Sequence, residues 1–397
     1  MGGMPSAQAG VGQGAGAAGL GGNGGSGNGS GGGSDSGGHG GLGAGGTDSA
    51  GRAGASEGGA GGVDSVADGR CGQGFAAGSS AVPPKLDGTV TPKSDASGNW
   101  SFSFGRYRLV VAGGKGAKVI EFSIDGNNLI DATGGSTFWP SPQQNYTWPV
   151  PPAIDSAAYT AQADATSLGL TSAVATLTGS GSTTFKLSVH KRFWVNANSG
   201  VVSIEYQLTN EGKESASWAP WELTRVRAGG YTFAPRGPGE RIITQDSFQY
   251  PLPVTLLPPS PAAGGIEWLN YPSFSASLTK DNSKDNYIVE FDGAEGWLAH
   301  ANRFGNAQLP VLFVKSFVDA PDESLPDNQA EIQIWTSGTA DPKLIEVEEQ
   351  GALQVLAPGA SLTWTVHWSA CELPSSSLLA AGNADLAALA RAHAVKH

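Results

Sequence analysis

The chain has 397 residues, a formal net charge of −12 and only two cysteines; its acidic balance, with no basic cluster, argues against nucleic acid and anionic membranes as partners. Thirty of the 60 glycines fall in the first 70 residues, where no Phe, Trp or Tyr occurs. Such a stretch has too little apolar surface to offset the entropy of ordering it.

Residues 1–70 therefore read as a disordered Gly/Ser-rich linker with the reach of a flexible coil. A low-complexity tether of this kind resembles the spacer of bacterial surface lipoproteins, so the expectation is an exported, periplasmic or cell-surface protein, with any membrane attachment running through the linker alone. No charged-then-apolar leader opens the chain, and no apolar run reaches the length of a membrane span.

All 11 Trp, 14 Phe and 8 Tyr lie in residues 71–397, enough for one sizeable domain, expected to be a monomer. Cys71 and Cys371 bracket that part. Either they are isolated thiols or they meet and staple its ends, and the habit of exported proteins favours the bond.

Period-two hydrophobicity dominates from there on. Ile120, Phe122 and Ile124 alternate with polar neighbours, as do Phe185, Leu187 and Val189, and Val202, Ile204, Tyr206 and Leu208. Further strand patterns run over 102–111, 168–177, 287–291, 311–317, 332–335 and 362–368. One helix is expected, over 378–395, with Leu386, Leu389 and Ala390 on a stripe. Many strands, frequent turns and almost no helix make the fold class all-β, a sandwich or barrel.

The stretch FWPSPQQNYTWPVPP, residues 138–152, carries five prolines and is expected to be a rigid extended loop, neither helix nor central strand. Trp139, Gln143, Gln144 and Trp148 there suit a sugar, because an indole face packs on the C–H face of a pyranose while amides bond hydroxyls. A proline-stiffened cover on the sandwich edge is the alternative. Lys186, Ser188, His190, Arg192 and Trp194 form a polar face opposite Phe185, Leu187 and Val189, either simply wet or cradling a ligand.

WAPWELTRVRAGG, residues 218–230, reads as a strand closed by a glycine turn. Glu222 shares a side with Thr224, whereas Arg225 shares the other with Leu223 and Arg227. Only a bend, or a sheet covered on both faces, uses both charges.

These two motifs, followed in order by GWLAH with LFVKSF and by IEVEEQGALQVLAPGASLTW, resemble a bacterial family of galactose-mutarotase-like domains of unknown function. The resemblance spans roughly residues 100–370 and implies a β-supersandwich whose concave sheet face binds carbohydrate. Aldose epimerases of similar fold open the sugar ring with a carboxylate base and an imidazolium acid. The resemblance implies Glu348 as the base, on a late strand. Where those enzymes keep a mid-chain histidine this chain has Glu222, and His300 of GWLAH is the substitute acid. The late His-Thr-Glu pattern is replaced by Trp364, Thr365 and Val366.

The expected function is thus carbohydrate binding through Trp139, Gln143, Gln144, Trp148, Trp221 and Arg225. An aldose-epimerase-like or other sugar-modifying enzyme using Glu348, Glu222 and His300 is the alternative, and a structural surface protein a third. Paired carboxylates also fit glycoside hydrolysis, although Glu222 and Glu348 could equally be ion-paired to Arg225 or Lys343. No G-x-S-x-G, H-E-x-x-H or C-x-x-C motif occurs, and neither cofactor nor metal is expected.

Overall fold

Two large antiparallel sheets, packed face to face, are built from the alternating segments. The computed structural model describes residues 69–72, 88–179, 183–227, 229–238, 242–245, 255–260, 265–270, 287–305, 308–327, 329–336 and 344–397. The expected linker, except for its last two residues, and Lys343 lie outside the described residues. All described residues belong to one compact unit, Asp64–His397.

Among the described residues the first sheet has twelve strands. Its order is Lys93–Ser94, Asn99–Phe104, Tyr107–Ala112, Lys118–Ile124, Ser136–Ser141, Ala216–Arg227, Leu344–Gln350, Ile332–Thr336, Tyr287–Phe291 and Ile242–Gln245. Asn127–Asn128 and Gln354–Leu356 add to it off this path. The second sheet has eleven among the described residues, ordered Thr255–Ser260, Ile266–Asn270, Tyr231–Pro235, Trp297–Phe304, Leu309–Ser316, Ser361–Glu372, Val201–Asn210, Thr184–Asn196, Ser167–Thr171 and Thr160–Ala163, with Ala175–Thr178 beside Thr184–Asn196.

The core lies between the sheets, where aromatic side chains meet across the gap. Phe138 stacks on Tyr206 at 4.5 Å, Trp218 meets Phe185 edge-on at 5.3 Å, and Phe122 lies 5.8 Å from Trp368. These contacts define the inner face of each sheet. Because side chains alternate along a strand, Phe138, Trp218 and Glu222 point inward while Thr137, Trp139, Trp221 and Arg225 point outward.

Among the described residues the one longer helix, Ala384–His393, is shorter than the expected 378–395. Asn383 caps it by accepting from the amides of Asp385 and Leu386, satisfying donors the first turn leaves open. It buries Leu386, Ala387 and Ala390 with Trp297, Leu312 and Val314 on the outer face of the second sheet. Cys71 and Cys371 are bonded, closing a span of 300 residues. Next to that bond Arg70 pairs with Glu372, so the start of the domain is tied to its last long strand.

The proline-rich stretch departs from expectation. Ser136–Ser141 is a strand inside the sheet, paired to Ala216–Arg227 from Thr224–Ser136 through Ala219–Ser141. On its other side it meets Lys118–Ile124 only at Val119–Ser136. At Pro140 one edge is therefore free, and a missing N–H there breaks no ladder. The segment beyond turns in two short helical pieces, Gln143–Asn145 and Pro152–Asp155, rather than staying extended.

Candidate functional site

The central strand, Ala216–Arg227, distributes its charged residues to both sides. Inward, Glu222 is fully buried and its Oε1 lies 3.0 Å from Lys315 Nζ, while Lys315 also reaches Glu349 Oε2 at 2.6 Å. Trp368 Nε1 donates to Glu222 Oε1 at 3.0 Å, and Lys315 donates to Thr224 Oγ1 at 2.8 Å. Burial, together with the neighbouring Glu222 charge, holds the Glu349 carboxyl well above the usual range despite Lys315. Two carboxylates and one ammonium deep in a sandwich approach neutrality when Glu349 keeps its proton. Glu222 is therefore part of a core charge cluster.

His300 also points into the core. Its neighbours Trp297, Ala299 and Ala301 belong to the helix-covered outer face of the second sheet, and alternation sends Leu298 and His300 the other way. Thr232 Oγ1 lies 3.0 Å from His300 Nδ1, and Nε2 has no hydrogen-bond partner among the described residues. Complete burial lowers its pKa to about 3, so the ring is neutral at ordinary pH. A neutral imidazole inside the sandwich and Glu348 on an outer face do not meet, so the expected pairing of Glu348 with His300 or Glu222 is replaced by another arrangement.

That arrangement lies on the outer face of the first sheet. Trp139 and Trp221 are cross-strand neighbours whose rings meet edge-on at 5.3 Å, and Trp148 meets Trp139 edge-on at 5.0 Å. The Arg225 guanidinium lies 5.9 Å from the Trp139 ring and forms a 2.7 Å ion pair with Glu346 on the adjacent strand. Gly134 makes room for this arginine: a Cβ there would stand 2.1 Å from Arg225 Cδ. The next residue, Gly135, has φ of +59°, and a Cβ on it would meet the Val119 carbonyl at 2.1 Å. Both positions of the Gly-Gly pair thus require glycine.

Glu348 stands two residues from Glu346 on the same face. Trp221 Nε1 donates to Glu348 Oε2 at 2.8 Å. Burial first, and the Glu346 and Glu290 charges with it, raise the Glu348 carboxyl well above its usual range against the pull of Trp221 and Arg225. Register places Gln333 directly opposite Glu348, and Glu290 directly opposite Gln333. Two strand spacings separate the Cα atoms of Glu290 and Glu348 by about 10 Å. Burial pushes Glu290 up to about 7. Gln333 Nε2 donates to Gln350 Oε1 at 3.4 Å, and Gln350, fully buried, keeps an Nε2 without a partner among the described residues.

On the far side of the tryptophans, Trp139 Nε1 donates to Asp155 Oδ1 at 2.8 Å and Lys118 pairs with Asp155 at 3.1 Å. Burial alone would raise Asp155, but Lys118 and these hydrogen bonds hold it below its ordinary value. Trp148, Arg225, Trp335, Glu346 and Glu290 are half-buried and form the accessible rim; Trp139, Trp221 and Glu348 are the buried floor.

The structure thus brings together Trp139, Trp148, Trp221, Arg225 and Glu348, and sends Glu222 and His300 into the core. Gln143 is half-buried and Gln144 exposed on the short turn after Pro142, whose backbone packs against Gly179. Glu290, Glu346 and Gln350 join the face; Glu346 and Gln350 lie beside Glu348 within IEVEEQGAL, whereas no motif of the sequence contains Glu290. The other polar face, on the second sheet, is separate: His190 pairs with Thr171 Oγ1 and His367 with Ser203 Oγ, each at 2.8 Å.

No family model and no curated protein matches the chain. In fold it is similar to solved galactose-mutarotase-like proteins. One is a putative aldose 1-epimerase from Escherichia coli, 12% identical with a TM-score of 0.43, covering 69% of this chain and 99% of that one. A galactose mutarotase-like protein from Lactobacillus casei is 12% identical with a TM-score of 0.43, covering 69% and 100%. Another from Clostridium acetobutylicum is 11% identical with a TM-score of 0.43, covering 72% and 100%.

Proposed function

We propose that the outer face of the first sheet binds a carbohydrate. The observation that carries this reading is the three-indole cluster of Trp139, Trp148 and Trp221, flanked on one face by Arg225, Glu346 and Glu348. Indoles supply apolar area at little entropic cost, and the charged groups beside them offer directional bonds to hydroxyls. The ordered motifs that resemble galactose-mutarotase-like domains support the same ligand class.

Binding without turnover is the favoured form. Acid–base catalysis needs one group ionised and another protonated, with environments that push their pKa values apart. Here Glu290 and Glu348 are both pushed upward, so Glu348 is a poor base at neutral pH. The described histidines all lie on the second sheet or the segment that follows it, away from this face. Should sugar be turned over, Glu290 is the candidate acid beside Glu348, because Glu346 on the same face is ion-paired to Arg225.

Titration of tryptophan fluorescence with mono- and oligosaccharides tests the reading, alongside polarimetry of fresh aldose anomers. Quenching by a sugar, with anomer equilibration no faster than in buffer, is the expected result. Faster equilibration, lost in Glu348→Gln, would replace binding by an epimerase. Absence of any spectral response would favour a structural protein. The Cys71–Cys371 bond and the glycine-rich segment support an exported, tethered monomer, which fractionation of producing cells and size-exclusion chromatography check.

A further inference from the structure

We infer that the ligand of this face is an amine-bearing sugar, its ammonium held by Glu290 and Glu348; the inference rests on the carbohydrate reading above. Two carboxyls on the face have no cationic partner among the described residues. Glu346 is matched by Arg225 and Asp155 by Lys118. Glu290 has no hydrogen bond or ion pair with any described residue, and the bond that Glu348 accepts comes from a neutral indole. Register sets the two carboxyls on either side of Gln333, so both reach the space above it.

A second observation points to a ligand in the same place. Gln350 is fully buried, its Oε1 is engaged by Gln333, and its Nε2 donor has no partner among the described residues. A buried donor left open costs more than the bond it would make. It calls for an acceptor such as a sugar hydroxyl beside the ammonium. A neutral sugar would meet the donor but bring no cation that lets the two carboxyls ionise; an anionic one would oppose their ionisation further. An ammonium on a hydroxylated ring satisfies all three groups, and the indoles beside it favour a cation at their faces. The raised carboxyl of Glu290 fits a group whose counter-charge arrives with the ligand.

The test compares glucosamine, N-acetylglucosamine and glucose, and their short oligomers, by tryptophan quenching of the full chain near neutral pH. The amine-bearing sugar is expected to bind about tenfold or more tightly than the other two, as a charge-assisted bond requires. That advantage should vanish in Glu290→Gln and in Glu348→Gln, with thermal unfolding showing that each variant is folded; if either is not, the wild-type comparison decides alone. Equal binding of glucose and glucosamine would overturn the inference and leave carbohydrate binding standing. Failure of all three sugars and their oligomers to bind would remove both.

Discussion

Lys315 and Glu349 face each other at 2.6 Å from opposite sheets, and neither has any exposed side-chain surface. With Glu222 they form a charge cluster inside the sandwich, bonded also to Thr224 and Trp368. A buried ammonium is tolerated only while its partners compensate it, and the same holds in reverse.

Removing the ammonium should therefore be severe. Lys315→Met leaves Glu222 and Glu349 without a counter-charge and is expected to cost about 3–5 kcal/mol of stability. Adding Glu222→Gln and Glu349→Gln to Lys315→Met should recover a large part of it, because the uncompensated charge is gone. Urea unfolding of the single and triple variants measures both; a triple variant no better than the single one would contradict the account.

Acid and base act on different buried groups. His300 is depressed from 6.5 to about 3, so the unfolded chain binds a proton there that the folded chain refuses. Its contribution is present above pH 6.5 and lost as pH falls towards 3. His300→Gln should thus gain stability relative to the parent as pH falls through that window. Glu290 is raised from 4.5 to about 7, so its contribution is present below pH 4.5 and lost as pH rises through 7. Glu290→Gln should gain relative to the parent over that opposite course. Chemical denaturation at a series of pH values gives the two slopes, and their signs must differ.

The aromatic floor should dominate affinity. Trp139 touches Trp148, Trp221, Asp155 and the Arg225 guanidinium, so Trp139→Ala removes the centre of the surface. A loss of sugar affinity of about tenfold or more is expected, since an aromatic anchor carries a few kcal/mol. Arg225→Met should weaken binding less and destabilise by about 1–3 kcal/mol, because Glu346 is left half-buried without its partner. Isothermal titration on folded variants separates these effects.

The bond between Cys71 and Cys371 closes 300 residues. In the chain-entropy limit, constraining so long a loop in the unfolded state is worth about 6 kcal/mol. Reduction, or the double change of both cysteines to serine, should lower the unfolding midpoint strongly. Intact mass before and after reduction, differing by two hydrogens, verifies the bond; unchanged stability on reduction would refute its structural weight.

Alternation along single strands is legible in the amino-acid sequence. It places Glu222 and Arg225 on opposite sides, and both sides of the central strand carry buried residues. It does not say which side is the core, because WAPWELTRV is apolar on both faces. His300 misleads for the same reason: in WLAHA, Trp297, Ala299 and Ala301 are buried by the C-terminal helix, while Leu298 and His300 are buried by the other sheet. Glu290 escapes notice because YIVEF is an ordinary strand pattern, and its neighbours Gln333 and Glu348 are set by register between distant segments. Pro140 misleads because strand rules assume two neighbours, whereas one flank of Ser136–Ser141 is open there.

The central strand serves two unrelated environments through alternate side chains, and this makes its phase an all-or-nothing property. Inserting or deleting one residue between Trp218 and Glu222 would carry Arg225 inward and Glu222 outward in one step. The sandwich would then lose the partner of Lys315 and the outer face would lose the partner of Glu346 together. Folding and recognition are thus written on one ribbon in interleaved positions, and a chain that pairs this strand in the wrong frame has neither.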